Sequence, residues 1–252
     1  MNIIAFVSAK GGVGKTTVSA NICTAMAREG RTVLAIDLDP QNALSLHFGY
    51  PPHLVGGLAR AAVAGVNCSE YIHQNQLGVY VLPYGRVTEE DRQSFESLLS
   101  KNPDFIQAQL KSLQLPLNTL VILDTPPGPS VYLKQALQSC NLAVVVLLAD
   151  AASYATLPMI DKLLHQYCLS RNDFTADAYL INQLDPSRQL NNDVRQIIES
   201  QFSDKQVLHI HQDPRIAEAL AFQQDVLEYA PNSRAAHDIS SVCDKLLQLT
   251  RS

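Results

Sequence analysis

Near its start the chain reads IIAFVSAKGGVGKTT over residues 3–17. Five apolar residues with strong β preference run into a stretch holding Gly11, Gly12 and Gly14. Lys15, Thr16 and Thr17 then open a helix-like pattern that continues to residue 28. A buried strand that feeds a helix through a glycine-rich loop leaves few architectures open. Its return connection favours a parallel sheet with helices packed on it.

The rest of the chain repeats that alternation. Short apolar runs at 32–36, 79–82, 120–123, 142–148, 178–181 and 207–210 read as strands. Helical spacing predicts helices over 15–28, 105–113, 157–168, 191–202, 214–223 and 236–249. The expected fold is α/β: a doubly wound, mostly parallel sheet with helices on both faces, built as one domain over 1–252. Residues 51–76 are the least regular and read as an insertion with short helices.

Composition narrows the function classes. Apolar residues make up 46% and charged residues 17% of 252, which excludes a disordered chain. A formal net charge of -5 disfavours wholesale nucleic-acid binding. The five cysteines, at 23, 68, 140, 168 and 243, are scattered and form no CxxC pair, which points to buried thiols in a reducing compartment. No basic leader is seen, and the run 142–149 is too short to span a bilayer. A cytoplasmic protein is expected.

The loop at 9–15 has the properties of an anion cradle. Glycines let backbone N–H groups close on phosphate oxygens, and a helix N-terminus favours negative charge. Lys15 is expected to reach the β- and γ-phosphates, with the Thr16 hydroxyl on Mg²⁺. Three more stretches belong with it. DLDPQ at 37–41 ends the second strand and puts Asp37 and Asp39 where ligands bind in such sheets. LVILD at 120–124 places Asp124 at the end of an apolar strand, followed by TPPG. YLIN at 179–182 ends a further strand with Asn182.

The spacing departs from GxxxxGK[ST], because Ala9 stands at the first glycine. What is present, KGGVGKT, resembles the deviant Walker A motif of the MinD/ParA family of ATPases. That resemblance implies ATP and Mg²⁺ as ligands, with Lys10, Gly11, Gly12, Val13, Gly14, Lys15, Thr16 and Thr17 on the nucleotide. It implies that Lys10 crosses a homodimer interface to the partner's phosphates. A cation supplied in trans is worth ~10³–10⁵ in rate in analogous phosphoryl transfers. The family pattern also gives Asp39 the attacking water and puts Asp37 and Asp124 in the Mg²⁺ shell. TPPG becomes a second switch, Asn182 reads adenine, and Pro214 and Arg215 close over the base. Catalysis is thereby assigned to Lys10, Lys15 and Asp39. Relatives commonly carry proline where this chain has His211. Cys68 and Cys140 lack the glycine-rich context of the iron–sulfur relatives.

Three uses of such a switch are open. In DNA partitioning, Arg188, Arg195 and Arg215 are the candidate phosphate contacts. In membrane cycling, a basic amphipathic tail is needed. Here Ile239, Val242, Leu246, Leu247 and Leu249 have helical spacing, but Asp244 interrupts the two basic residues, so core packing is expected. In cellulose biosynthesis, the chain is similar end to end to the BcsQ family. Beyond the nucleotide loops, that similarity is carried by 46–84, with ARAAVAG and the run into LPYG, and by 209–239. It implies a slow, dimer-dependent ATPase that helps assemble or localise the cellulose secretion machinery. Its partners are small regulatory proteins of the same operon, with indirect recruitment to the inner membrane and no specific nucleic acid. A scaffold that holds ATP without turning it over is the non-enzymatic alternative.

Overall fold

The computed structural model describes residues 1–50 and 56–250. Among the described residues, eight strands form one sheet. They are β1 Asn2–Val7, β2 Val33–Asp37, β3 His73–Gln74, β4 Tyr80–Leu82, β5 Leu120–Asp124, β6 Leu142–Leu148, β7 Ala176–Leu184 and β8 Gln206–His211. Their spatial order is β3-β4-β2-β5-β1-β6-β7-β8. Every neighbouring pair is parallel except β3 against β4. The expected doubly wound sheet is therefore present, with an antiparallel edge strand that the sequence reading lacked.

Period two along each strand splits the core in half. From β1, Ile3, Ala5 and Val7 enter one apolar cluster, and Ile4 and Phe6 enter the other. The second cluster is covered by α1 (Lys15–Arg28) and α11 (Arg234–Leu249), through Val18, Ile22, Met26, Ile239, Val242 and Leu246. The first is covered by α2 (Leu58–Ala64), α3 (Glu89–Lys101), α4 (Phe105–Ser112), α5 (Val131–Ser139), α7 (Leu157–Tyr167) and α8 (Gln189–Gln201). Short helices α6 (Ala151–Tyr154), α9 (Arg215–Ala221) and α10 (Val226–Tyr229) complete the set. Residues buried on both faces explain why β1, β5 and β6 read as unbroken apolar runs. The tail helix packs as core, as its spacing indicated, and all five cysteines are buried free thiols.

Helices α3 and α5 were not read from the sequence. In α3 only Phe95 and Leu99 are buried, so its solvated face dominates the pattern. Its start is nonetheless written in the chain: the Thr88 hydroxyl accepts from Asp91 N–H, and three acidic residues occupy the first turn. Helix α5 begins directly after the 125–130 loop, where Ser130 caps it through Leu133 N–H. Of the irregular 51–76 stretch, 51–55 lie outside the described residues. The remainder forms α2, a 3₁₀ turn at Cys68–Tyr71 and β3.

Two relationships position the site. In the β2–β5 pairing, Asp37 lies opposite Asp124, which sets two carboxylates side by side at the C-terminal edge of the sheet. At the opposite end of β1, the Asn2 side-chain amide donates to the Thr250 carbonyl just past α11 (3.0 Å).

Candidate functional site

The loop between β1 and α1 closes around two left-handed glycines, Gly12 at φ 78° and Gly14 at φ 80°. Glycine occupies that region without steric cost. Position 14 has a second constraint, since a Cβ there would lie 2.4 Å from Asn182 Nδ2. The Asn182 amide is itself buried and donates to the Val13 carbonyl (2.8 Å), so β7 clasps the loop. A bulge after Ile181, with Gln183 at φ 55°, turns the end of β7 toward it.

Beneath the loop lies a buried polar cluster. Lys15 Nζ is 3.0 Å from Asp124 Oδ1, with the lysine 5% and the aspartate 0% exposed. The Thr16 hydroxyl donates to Asp124 Oδ2 (2.7 Å), and the Ser19 hydroxyl to Asp124 Oδ1 (3.1 Å). Asp37, also fully buried, accepts from Asp39 N–H (2.9 Å) and Leu44 N–H (3.0 Å). Burial, and then the neighbouring Asp124, push the Asp37 carboxyl well above the usual range. Asp124 thus holds the lysine, while Asp37 is held by backbone N–H groups. As it stands, Asp37 orders the segment that carries Asp39, while Asp124 gathers the side chains of α1.

Two clefts meet above this cluster. One, of about 320 Å³, is lined by 10–17 together with Ser8, Asp39, Gln41 and Pro127. The other, of about 370 Å³, is more apolar, and its walls include Asn21, Asn182, Gln183, His211, Pro214 and Ile216. Gly14 and Thr17 line both. The structure therefore brings Lys10, Gly11, Gly12, Val13, Gly14, Lys15, Thr16, Thr17 and Asp39 to one cleft, and Asn182 and Pro214 to the next. Arg215 is not among the residues lining either cleft. Its guanidinium points back to Asp213 (3.5 Å).

Lys10 sits on the rim, where its ammonium lies 3.6 Å from Asp150 Oδ1 at the N-cap of α6. The 125–128 segment is tied to the same strand end. Thr125 Oγ1 donates to the Phe6 carbonyl (2.9 Å), and Gly128 N–H donates to the Ser8 carbonyl (2.8 Å).

Ser19 and Asn21 escaped sequence reading, and His211 was named only as a departure from a common proline. Ser19 lies one turn beyond Lys15 and Thr16, and an i+3 or i+4 hydroxyl on that face could have flagged it. Asn21 is buried, donates to the Thr17 carbonyl (2.8 Å) and accepts from Val226 N–H (3.1 Å) at the start of α10. His211 is fixed by Asp238 Oδ2 at 2.8 Å from Nδ1 and by Arg234 Nη2 at 2.6 Å from Nε2. His209 and His211 on β8 answer to different partners. His209 Nε2 instead faces Glu199 at 3.1 Å.

The donor set suits a nucleoside triphosphate with a hard divalent cation. A glycine cradle with a buried lysine fits phosphates, and the hydroxyl and carboxylate oxygens around Asp124 are the ligand type Mg²⁺ takes. Asp37 and Asp124 stand side by side, and a cation there would favour the charged form of both.

Known proteins share the fold. Among solved structures, the cell division ATPase MinD of Pyrococcus furiosus superposes with a TM-score of 0.78 at 25% identity, covering 98% of this chain and 99% of that one. MinD of Pyrococcus horikoshii, solved with Mg-ADP, gives a TM-score of 0.78 at 23% identity over 98% of this chain and 96% of that one. Among curated sequences, the cellulose biosynthesis protein BcsQ of Salmonella typhimurium is 29% identical over 249 residues, 97% of this chain and 93% of that protein. A virulence plasmid ParA family protein of Chlamydia psittaci is 27% identical over 98% of this chain and 94% of its own length. A family profile described as "Cellulose biosynthesis protein BcsQ" matches residues 1–247, and with so nearly complete a match the chain belongs to that family of MinD/ParA-type proteins.

Proposed function

We propose that this protein is an ATP-dependent, dimerising switch ATPase that helps assemble or localise a bacterial cellulose synthesis and secretion machinery. The observation that carries the enzymatic half is the placement of Lys10, Lys15, Thr16 and Asp39 around one cleft above Asp124. Family membership carries the biological half.

The residues divide the work. Gly11, Gly12, Val13 and Gly14 present backbone N–H groups to the triphosphate, and the α1 dipole adds to them. Lys15 exchanges Asp124 for the β- and γ-phosphate oxygens. Thr16 and Asp124, with Asp37 behind them, would hold Mg²⁺, which would neutralise charge on the triphosphate. Asp39 orients the attacking water. Asn182 reads the base in the apolar cleft, where Pro214 closes one side. Lys10 leaves Asp150 and stabilises charge on the partner's phosphates, so turnover depends on pairing. Such a two-fold interface is isologous, and each protomer serves the other. ATP drives pairing because it binds the dimer better than separate chains. Small regulatory proteins of the cellulose operon then recognise the paired state and bring it to the membrane. Among the described residues no helix is long and apolar enough to cross a membrane.

A DNA-partitioning role has less support. Arg188, Arg195 and Arg215 each face a carboxylate of their own chain, at 3.1, 2.8 and 3.5 Å. Phosphate binding would have to break those pairs.

Light scattering with Mg²⁺ and ATP, alongside phosphate release, tests the proposal. Wild type is expected to double in mass with ATP and to release phosphate. Asp39→Ala should pair and stall, and Lys10→Ala should bind ATP without pairing. A wild type that stays monomeric with ATP sinks the switch. Normal cellulose output in a host carrying only Lys10→Ala sinks the biological assignment.

A further inference from the structure

The turn that carries Asp39 is anchored by a residue outside the motif. Asp39 Oδ1 accepts from Gln41 N–H (2.9 Å), and the Asp39 carbonyl accepts from Asn42 N–H (2.8 Å), so 39–42 close into a tight turn. Asn42 ends it at φ 52°, a region that asparagine tolerates far better than most side chains. Its side-chain carbonyl then accepts from Gly85 N–H at 3.2 Å.

Gly85 is a fixed point. It is buried at φ 90°, and a Cβ on Gly57 would come within 2.4 Å of its nitrogen. The carbonyls of Pro83 and Tyr84 accept from Leu58 N–H (2.9 Å) and Ala59 N–H (3.0 Å), so α2 opens against this segment. The Tyr84 hydroxyl lies 2.9 Å from that of Tyr132 on α5, the helix that follows 125–130. Both rings are buried, and Tyr132 also donates to Glu96 (3.1 Å). The ARAAVAG and LPYG stretches thus form a platform, and Asn42 is the clasp that joins the Asp39 turn to it.

We propose that Asn42 is a positioning residue for hydrolysis: its side-chain carbonyl, held by Gly85 N–H, fixes where the Asp39 carboxylate stands over the phosphate cleft. This deepens the ATPase reading and rests on it. Asn42 lines neither cleft and acts through Asp39. Misplacing a reacting group by about 1 Å can cost ~10²-fold in rate, so a loosened turn should lower turnover more than binding. A mere turn former would instead be replaceable by any residue that accepts the left-handed conformation.

Two substitutions separate these roles. Asn42→Gly keeps the backbone freedom and removes the acceptor, whereas Asn42→Asp keeps an acceptor at the same place. Expected for Asn42→Gly is a kcat lower by ~10-fold or more with ATP Kd within about 2-fold, a loss specific to the reacting geometry. Asn42→Asp should recover most of that loss. In nucleotide-free protein, amide exchange at Gly85 should speed at least about tenfold in Asn42→Gly and stay slow in Asn42→Asp, as a lost or kept hydrogen bond dictates. Unchanged Gly85 exchange or unchanged kcat in Asn42→Gly overturns the proposal, and so does an equal loss in both variants. The wild type's own phosphate release distinguishes the two levels. If it releases none, the ATPase reading fails, while Gly85 exchange still decides whether the clasp exists.

Discussion

Lys10 and Asp150 join the phosphate loop to the start of α6: the ammonium and a carboxylate oxygen are 3.6 Å apart, with the two side chains 33% and 37% exposed. The contact sets a position for Lys10 within its own chain, and any role across an interface begins by breaking it. Burial pushes the Asp150 carboxyl up, but hydrogen bonds from Ser153 and the Lys10 charge outweigh it and hold the group below the usual range.

Asp150→Asn tests this contact. Asparagine caps a helix as well as aspartate does, so the α6 start is retained and only the charge is lost. At this exposure the change in stability should stay within about 1 kcal/mol at neutral pH. Because the folded carboxyl is held low, any advantage of wild type exists above the unfolded value of about 4 and fades as pH falls through the folded one. The two proteins should therefore converge in acid. With Lys10 released, ATP-dependent pairing should begin at lower protein concentration, as measured by light scattering.

Lys15→Ala should cost stability as well as nucleotide affinity. It leaves the buried Asp124 carboxylate without its cation, and breaking such a pair typically costs ~3 kcal/mol or more. Urea unfolding in nucleotide-free buffer measures the first effect, and calorimetric titration with ATP the second. A variant as stable as wild type would show that Asp124 is satisfied by Thr16 and Ser19 alone.

Gly14→Ala combines two faults, a left-handed backbone and a Cβ 2.4 Å from Asn182 Nδ2. The expected cost is ~1–3 kcal/mol of local strain, with Asn182 driven off the Val13 carbonyl. Gly12→Ala has the same backbone fault, but nothing lies within 4 Å of its Cβ. Thermal unfolding should thus rank Gly14→Ala below Gly12→Ala.

Burial pushes the His209 imidazole below its ordinary value, and Glu199 only partly offsets it. The folded state then binds fewer protons than the unfolded chain, so stability is lost as pH falls through about 6.5. Burial lowers His47 in the same way. His209→Leu should flatten part of the decline in melting temperature between pH 7 and 5. An unchanged slope would assign the decline to other groups.

How far the sequence could be read depends on how local each signal is. Strands buried on both faces announce themselves as continuous apolar runs, and the glycine–lysine loop specifies strand, turn and helix together. The two-residue β3 offers no period to detect, and α3 shows its core only through Phe95 and Leu99. The phosphate cleft was legible because one peptide supplies most of it. The base cleft was legible only in part: Asn182 and Pro214 were read from motif resemblance, but Asn21, on the buried face of α1, joins them only in the fold. Arg215 adjoins that cleft in sequence, yet its side chain answers to Asp213. Asn42 directly follows a readable motif, but its partner Gly85 lies 43 positions on, and only the fold shows the pairing.

The Asn2–Thr250 contact has a practical corollary. Strand β1 starts beside the last turn of α11 and delivers its glycine loop at the far edge of the sheet. A fluorophore or surface tether attached near either residue therefore leaves the glycine loop unobstructed.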